Sequence, residues 1–217
     1  MPRPSRNTDR MLIEAAKILL PRTGVSGLKV RQVAKKAGVN LGMFHYYFRT
    51  KEEFVQEVLK EIYNDFFSGF EIKLSREGSP VERLKSAIIS LGCFARDNRQ
   101  IILAVIRDML HGDKGTIRFA GKNFTRHISV LANLVYECQK KGYLIKIPLP
   151  HAVAFIAGNI AFPNAIMEII DKSGAKNPMG IKKEFLENQL LSDKAIETRA
   201  GLVIKALSTE IQKTNHR

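Results

Sequence analysis

Apolar residues recur at the helical period along nearly all of this 217-residue chain, and nowhere does a convincing stretch alternate with the period of two that a half-buried strand requires. Leu12, Ala15, Ala16, Leu19 and Leu20 follow the i, i+3, i+4, i+7, i+8 pattern, and Phe54, Val58, Leu59, Ile62 and Phe66 outline the buried face of a longer helix. An all-α fold follows. Its punctuation is equally helical: Pro21 and Gly24 close a first helix, and Gly38 stops a short second one built on Val30, Val33, Ala34 and Ala37. A third short helix is expected from about Asn40 to Tyr47. Thr50 followed three places on by Glu53 reads as a capping box opening the fourth, which frays near Gly69 to Gly78. Further helices are expected over about 80–96, 98–110, 116–141, 150–172 and 182–189, and a last one from Asp193 to Lys213. No internal repeat or low-complexity tract interrupts them.

Composition narrows the class. At 45% hydrophobic residues the chain can bury a substantial core, so disorder is excluded. Two cysteines 45 positions apart, Cys93 and Cys138, form neither a disulfide framework nor a metal-ligand set, and suit a reducing cytoplasm. The start, Met1 to Arg6, lacks the apolar core of a signal peptide. Ala152 to Met167 is free of charge, but it falls short of the ~20 residues needed to span a bilayer. It also carries Asn159, Pro163 and Asn164, so it reads as a buried helix and no membrane association is expected.

Charge is uneven. The net formal charge is +14, and residues 1–60 contribute half of it, with 12 Lys/Arg against 5 Asp/Glu. A dense basic segment attracts polyanions, because neutralising phosphates releases condensed counterions. Within that segment lies a set of spacings that a helix-turn-helix needs. Ala34 is the small residue where two helices cross, Gly38 makes the tight turn, and Val33, Ala37, Val39 and Phe44 seal the pair. The chain therefore divides into a helix-turn-helix DNA-binding domain at 1–52 and a larger helical domain at 53–217. The competing structure is an αα-hairpin that holds no ligand.

These residues resemble a known family. Leu12-Ile13-Glu14-Ala15-Ala16, Gly24, Val30 through Val39, Gly42-Met43-Phe44-His45-Tyr46-Tyr47-Phe48 and Thr50-Lys51-Glu52 are similar to the TetR family of bacterial transcriptional regulators, over roughly residues 8–60. The resemblance implies an all-helical homodimer with a small-molecule cavity in its C-terminal domain, where ligand binding changes the separation of two DNA-reading heads. It places Leu41, Gly42, Met43, His45 and Tyr46 in the major groove of double-stranded DNA, and Tyr47 and Lys51 on phosphates. Arg31 reaches a base or a phosphate. Lys29, Lys35, Lys36 and Arg49 fit backbone contacts, which position the protein without reading sequence. Arg3 and Arg6 form a basic arm able to enter a minor groove. A cation such as Lys51 in the first turn opposes the helix dipole, and a nearby phosphate supplies the missing reason for it. Three departures from the family pattern bear on which operator is read. His45 replaces a Tyr, Met43 a Thr, and Lys29 the Ser or Thr that would cap the second helix.

Enzyme signatures are absent: no Gly-rich phosphate loop, nucleophile elbow or His-Glu-x-x-His motif occurs, and the five histidines show no metal-ligand spacing. Neither enzyme activity, cofactor nor metal is expected. Phe94, Met109, His127 and Phe162 are candidates to line a ligand cavity, or plain core. Asn159, a polar amide in an apolar helix, needs a partner in that cavity or across a dimer seam. The helix at 150–172 is apolar nearly all round, and the last helix carries Ile196, Ala200, Val203, Leu207 and Ile211 on one stripe. Both are expected to meet their symmetry mates in a four-helix seam. The sequence thus reads as a cytoplasmic, homodimeric, effector-responsive regulator, expected to repress from a near-palindromic operator. The alternatives are a non-specific architectural DNA-binding protein, or a helical enzyme or binding module with an incidental basic head.

Overall fold

A computed structural model describes residues 7–74 and 78–209, apart from the side chains of residues 65, 66, 68–74 and 124. Their regular structure is α-helical: α1 (Thr8–Thr23), α2 (Val30–Ala37), α3 (Leu41–Tyr47), α4 (Lys51–Leu74), α5 (Pro80–Asp97), α6 (Arg99–Leu110), α7 (Lys114–Lys140), α8 (Leu149–Ser173), α9 (Lys183–Leu191) and α10 (Asp193–Leu207). A single 3-10 turn, Pro178–Gly180, separates α8 from α9. Among the described residues there is no strand, and the pairing of Leu144 with Ser208 is an isolated bridge. Arg3, Arg6, Phe66, the 75–77 stretch and Ile211 to Lys213, all given roles or structure in the sequence reading, fall outside the described residues or side chains.

The chain forms two compact units, one from Met1–Phe66 with Gln100–Phe124 and the other from Phe67–Arg99 with Thr125–Arg217. It passes from one to the other inside α4, α6 and α7. The first unit is sealed by Leu12, Ala16 and Leu20 of α1, Val33 of α2, Phe44 of α3 and Phe54 and Val58 of α4, all essentially inaccessible. Val105 of α6 and Phe119 of α7 join the same cluster. Pro21 does not end α1; it sits in the last turn, and Gly24 closes the helix with its N–H donated to the Leu20 carbonyl.

In the second unit, α5 packs on α8 and α10. A Cβ at Gly92 would lie 2.7 Å from Ile196 Cγ2, so only glycine permits the α5–α10 approach. The α5 start is a full capping box: Glu82 N donates to Ser79 Oγ and Ser79 N donates to Glu82 Oε2. Beside α8 lies a cluster of six charges, three of each sign. Arg99 pairs with Glu187 at 3.0 Å, Glu168 at 3.8 Å and Asp171, while Lys183 pairs with Asp171 at 2.5 Å and Lys172 with Glu168 at 3.3 Å. Cys93 is half-buried and Cys138 buried, and burial pushes the Cys138 thiol up to about 11.

Two expectations need correction. The last helix stops at Leu207 instead of continuing toward Lys213. Ser208 is extended, with ψ 143°, because the segment after α7 captures the chain: Ile145 N donates to the Leu207 carbonyl and Thr209 N to that of Tyr143. Gln139 Nε2 holds the segment by donating to the carbonyls of Ile145 and Ile147, both at 2.9 Å. Secondly, Ile196, Ala200, Val203 and Leu207 are buried within the protomer, so that stripe is core and not seam. The face of α10 left to solvent carries Thr198, Leu202 and Ala206 instead.

The charge-free stretch lies in α8, a 25-residue helix long and apolar enough by composition to cross a membrane, a test that the core helix of a soluble protein also passes. Its inner face is buried, but Phe155, Phe162 and Ile169 are exposed. Pro163 leaves one helical N–H missing, and Asn159 and Asn164 each donate to the carbonyl four residues back, Phe155 and Ile160, at 2.8 Å.

Candidate nucleic-acid interface

The interface is built on α2 and α3. Gly38 takes the left-handed conformation, φ 70° and ψ 25°, and its N–H reaches the Ala34 and Lys35 carbonyls, turning the chain within one residue. A side chain there would be strained by its backbone alone, since nothing lies within 4 Å of a Cβ. Asn40 then caps α3, its side chain accepting from Met43 N at 2.9 Å. Phe44 anchors α3 inward, edge-on to Phe54 at 4.9 Å, and Phe48 also meets Phe54 edge to face, at 4.7 Å. With Phe44 pinned, the opposite side of α3 must face solvent. Gly42, His45 and Tyr46 are exposed there, Tyr46 at 69%, while Leu41, Met43 and Tyr47 are half-exposed. Tyr46 and Tyr47 meet edge to face at 5.2 Å, and Tyr47 packs on the core below.

Cations border this face. Lys29, Arg31, Lys35, Lys36 and Arg49 are all exposed. Lys29 is the N-cap of α2 in extended conformation with no capping side-chain bond, as its replacement of Ser or Thr implied. Lys51 is half-buried at the start of α4, and its ammonium donates to the Ser26 carbonyl at 2.7 Å. That bond uses one of three donors and leaves two for a phosphate. Nearby Asp113, whose carboxylate accepts from Thr116 Oγ1 and N at 2.7 Å each, is held below the usual carboxylate range by those bonds, with the Lys51 charge contributing. Lys29, Arg31, Leu41, Gly42, Met43, His45, Tyr46, Tyr47 and Lys51 all lie in the first unit, exposed or half-exposed. Sequence reasoning missed two of its supports. Asn40 was legible, being a capping residue before a short apolar helix. Asp108, whose carboxylate accepts from Val25 N at 2.6 Å and Ser26 N at 3.1 Å, was not, because those partners lie more than 80 positions away.

The cavity candidates are divided between the two units. Met109 packs on the core of the first unit. Phe94 and His127 are each half-buried in the second, where burial lowers His127 to about 4. Asn159 lines a narrow crevice with Ile88, Gly92, Ile196 and Arg199, its amide already donating to Phe155. Phe162 is 67% exposed. Among the described residues, no three His, Cys, Asp or Glu side chains are placed to hold a metal ion.

This is a helix-turn-helix head of the DNA-binding class, joined to a helical body. A family model described as bacterial regulatory proteins, tetR family, matches residues 12–58. The chain is 23% identical to the probable HTH-type transcriptional regulator YttP of Bacillus subtilis, over 72% of its length and 77% of that protein's. It is 32% identical to the HTH-type transcriptional repressor KstR2 of Mycolicibacterium smegmatis, over 37% of its length and 39% of that protein's. Its fold is similar to the crystal structure of the transcriptional regulator FadR from Bacillus subtilis in complex with stearoyl-CoA, with a TM-score of 0.69 and 16% identity, covering 92% of this chain and 97% of that one. The head, residues 12–58, is thus similar in sequence to the bacterial regulatory proteins of the tetR family.

Proposed function

We propose that this regulator is a homodimeric repressor in the bacterial cytoplasm, holding a near-palindromic operator until a small molecule enters its C-terminal domain. The observation that carries it is the α3 face formed by exposed Gly42, His45 and Tyr46 and half-exposed Met43, backed by buried Phe44, with five exposed cations in the flanking segments. Met43 offers an apolar contact to a thymine methyl, while His45 and Tyr46 offer donors or acceptors to base edges. Gly42, with no side chain, lets the helix backbone approach. Arg31 takes a base edge or a phosphate, and Tyr47, Lys51 and Lys29 take phosphates that set the register. The functional division falls at residue 52, with the reading head before it and regulation and pairing after it.

Dimerisation is supported by the outer face of α8. Phe155, Gly158, Phe162, Ala165 and Ile169 recur at alternating spacings of three and four, the pattern of a helix seam, and the three large ones are exposed. Leu202 of α10 is exposed as well. Two such surfaces related by a twofold axis would present two reading heads to two half-sites. Support for an effector comes from the fold relative that holds stearoyl-CoA. Within the second unit here, Phe94 and His127 are the half-buried candidates to face one.

The test is fluorescence anisotropy against the DNA flanking the protein's own gene and against random duplex of equal length. The flanking duplex is expected to bind at least ~10³-fold more tightly, and affinity should fall by roughly 10³ or more between ~50 and ~200 mM salt, as several phosphate contacts require. Equal binding to both duplexes would favour the architectural alternative.

A further inference from the structure

The reading helix α3 is positioned through α2, and α2 has no side-chain cap of its own, because Lys29 stands at its N-cap. What fixes the chain entering α2 must therefore come from outside that helix. The turn of residues 24–26 is gripped on both of its polar edges. Asp108, in the last turn of α6 and only 3% exposed, accepts from the amides of Val25 at 2.6 Å and Ser26 at 3.1 Å through the same Oδ2. From the other side Lys51 donates to the Ser26 carbonyl at 2.7 Å.

The fit around that carboxylate is close. Gly24 has φ 68°, and a Cβ on it would lie 2.7 Å from Asp108 Oδ2 and 2.1 Å from Arg107 Nη2. Glycine is demanded twice, by backbone conformation and by space. Packing alone does not hold the turn, for Ser26 and Gly27 are exposed and a cleft of about 190 Å³ opens beside them, lined by Val25, Ser26, Lys51, Gln56, Thr116 and Phe119. A carboxylate taking two backbone N–H groups makes charge-assisted bonds, stronger than neutral ones. The charged groups facing it are Arg107, whose Nη2 lies 3.3 Å from Asp108 Oδ1, and, through the turn, Lys51.

We propose that Asp108 is a positioning residue for operator reading: from α6 it fixes the turn that sets the entry of α2, and through α2 the angle at which α3 meets the groove. This rests on the regulator reading above. If α6 shifts, both amides lose their acceptor together, and the head keeps its fold but loses its register.

The experiment compares the full-length protein with Asp108→Ala and Asp108→Asn. Amide hydrogen exchange is followed at Val25 and Ser26 by NMR, and anisotropy is measured on the flanking and random duplexes. In Asp108→Ala the two amides are expected to exchange at least ~10-fold faster, and affinity for the flanking duplex to fall about 10-fold while that for random duplex changes less than ~2-fold. Asp108→Asn, whose amide oxygen still accepts an N–H, should recover part of the selectivity. Should the alanine variant fail to fold, the isosteric asparagine variant carries the same comparison against wild type. Unchanged exchange at Val25 and Ser26, or equal losses on both duplexes, would overturn the proposal. A wild type without preference for the flanking duplex would instead sink the regulator reading, whereas the exchange rates test the grip by itself.

Discussion

His127 shows how one side chain ties stability to pH. Burial opposes charging of its imidazole and lowers its pKa from 6.5 to about 4. Between those values the unfolded chain binds a proton that the folded chain does not, so stability is complete above pH 6.5, falls as pH drops toward 4, and is level below that for this group. Thermal unfolding of wild type and His127→Gln at pH 7 and pH 5 checks it. The variant should lose less between the two pH values, and parallel losses would mean that other groups carry the acid sensitivity. The burial of His127 was legible only as a choice, since a histidine on a helix with Phe119 and Leu131 nearby fits core and cavity alike. Lys29 was clearer. A capping position filled by a base is visible in one letter, and α2 indeed begins without a cap bond.

Elements built from local signals were the readable ones. Gly38, Asn40 and the Ala34 crossing act within a few residues, so α2, α3 and the turn between them follow from spacing alone. The end of α10 did not, because Leu207 is claimed by Ile145, which no helical period can foresee. Nor did the role of the α10 stripe: periodicity marks an apolar face, but it does not say whether α5 or another chain covers it. Gly92 explains which. It allows α5 to close on Ile196, which is β-branched and stiff. Gly92→Ala should therefore destabilise the protein by about 1–3 kcal/mol, the usual cost of overpacking. Chemical denaturation would read it, and a variant as stable as wild type would mean that the α5–α10 contact yields easily.

At the scale of the molecule, α8 has more apolar surface than its own chain covers. Phe162 is the most exposed large side chain on the outer face beside Ile169, each at 67%. Phe162→Glu would place a charge at the centre of the proposed seam, where burial of an unpaired carboxylate costs several kcal/mol. Sedimentation velocity at micromolar concentration should show a dimer for wild type and a monomer for the variant. A wild-type monomer, or a variant dimer as tight as wild type, would remove the seam from this face.

The compact unit that carries α2 and α3 is discontinuous in sequence, which limits how it can be excised. A fragment ending at residue 66 keeps every side chain proposed to face a base yet discards Val105 and Phe119, which close the same hydrophobic cluster, and Asp108, which holds the 24–26 turn. Such a fragment should show weaker helical circular dichroism and a lower melting temperature than one that grafts 100–124 back through a linker; equal melting of the two would mean that the returning segment is dispensable. Transplanting this head onto another protein as a DNA-targeting cassette would therefore require two pieces of chain, not one.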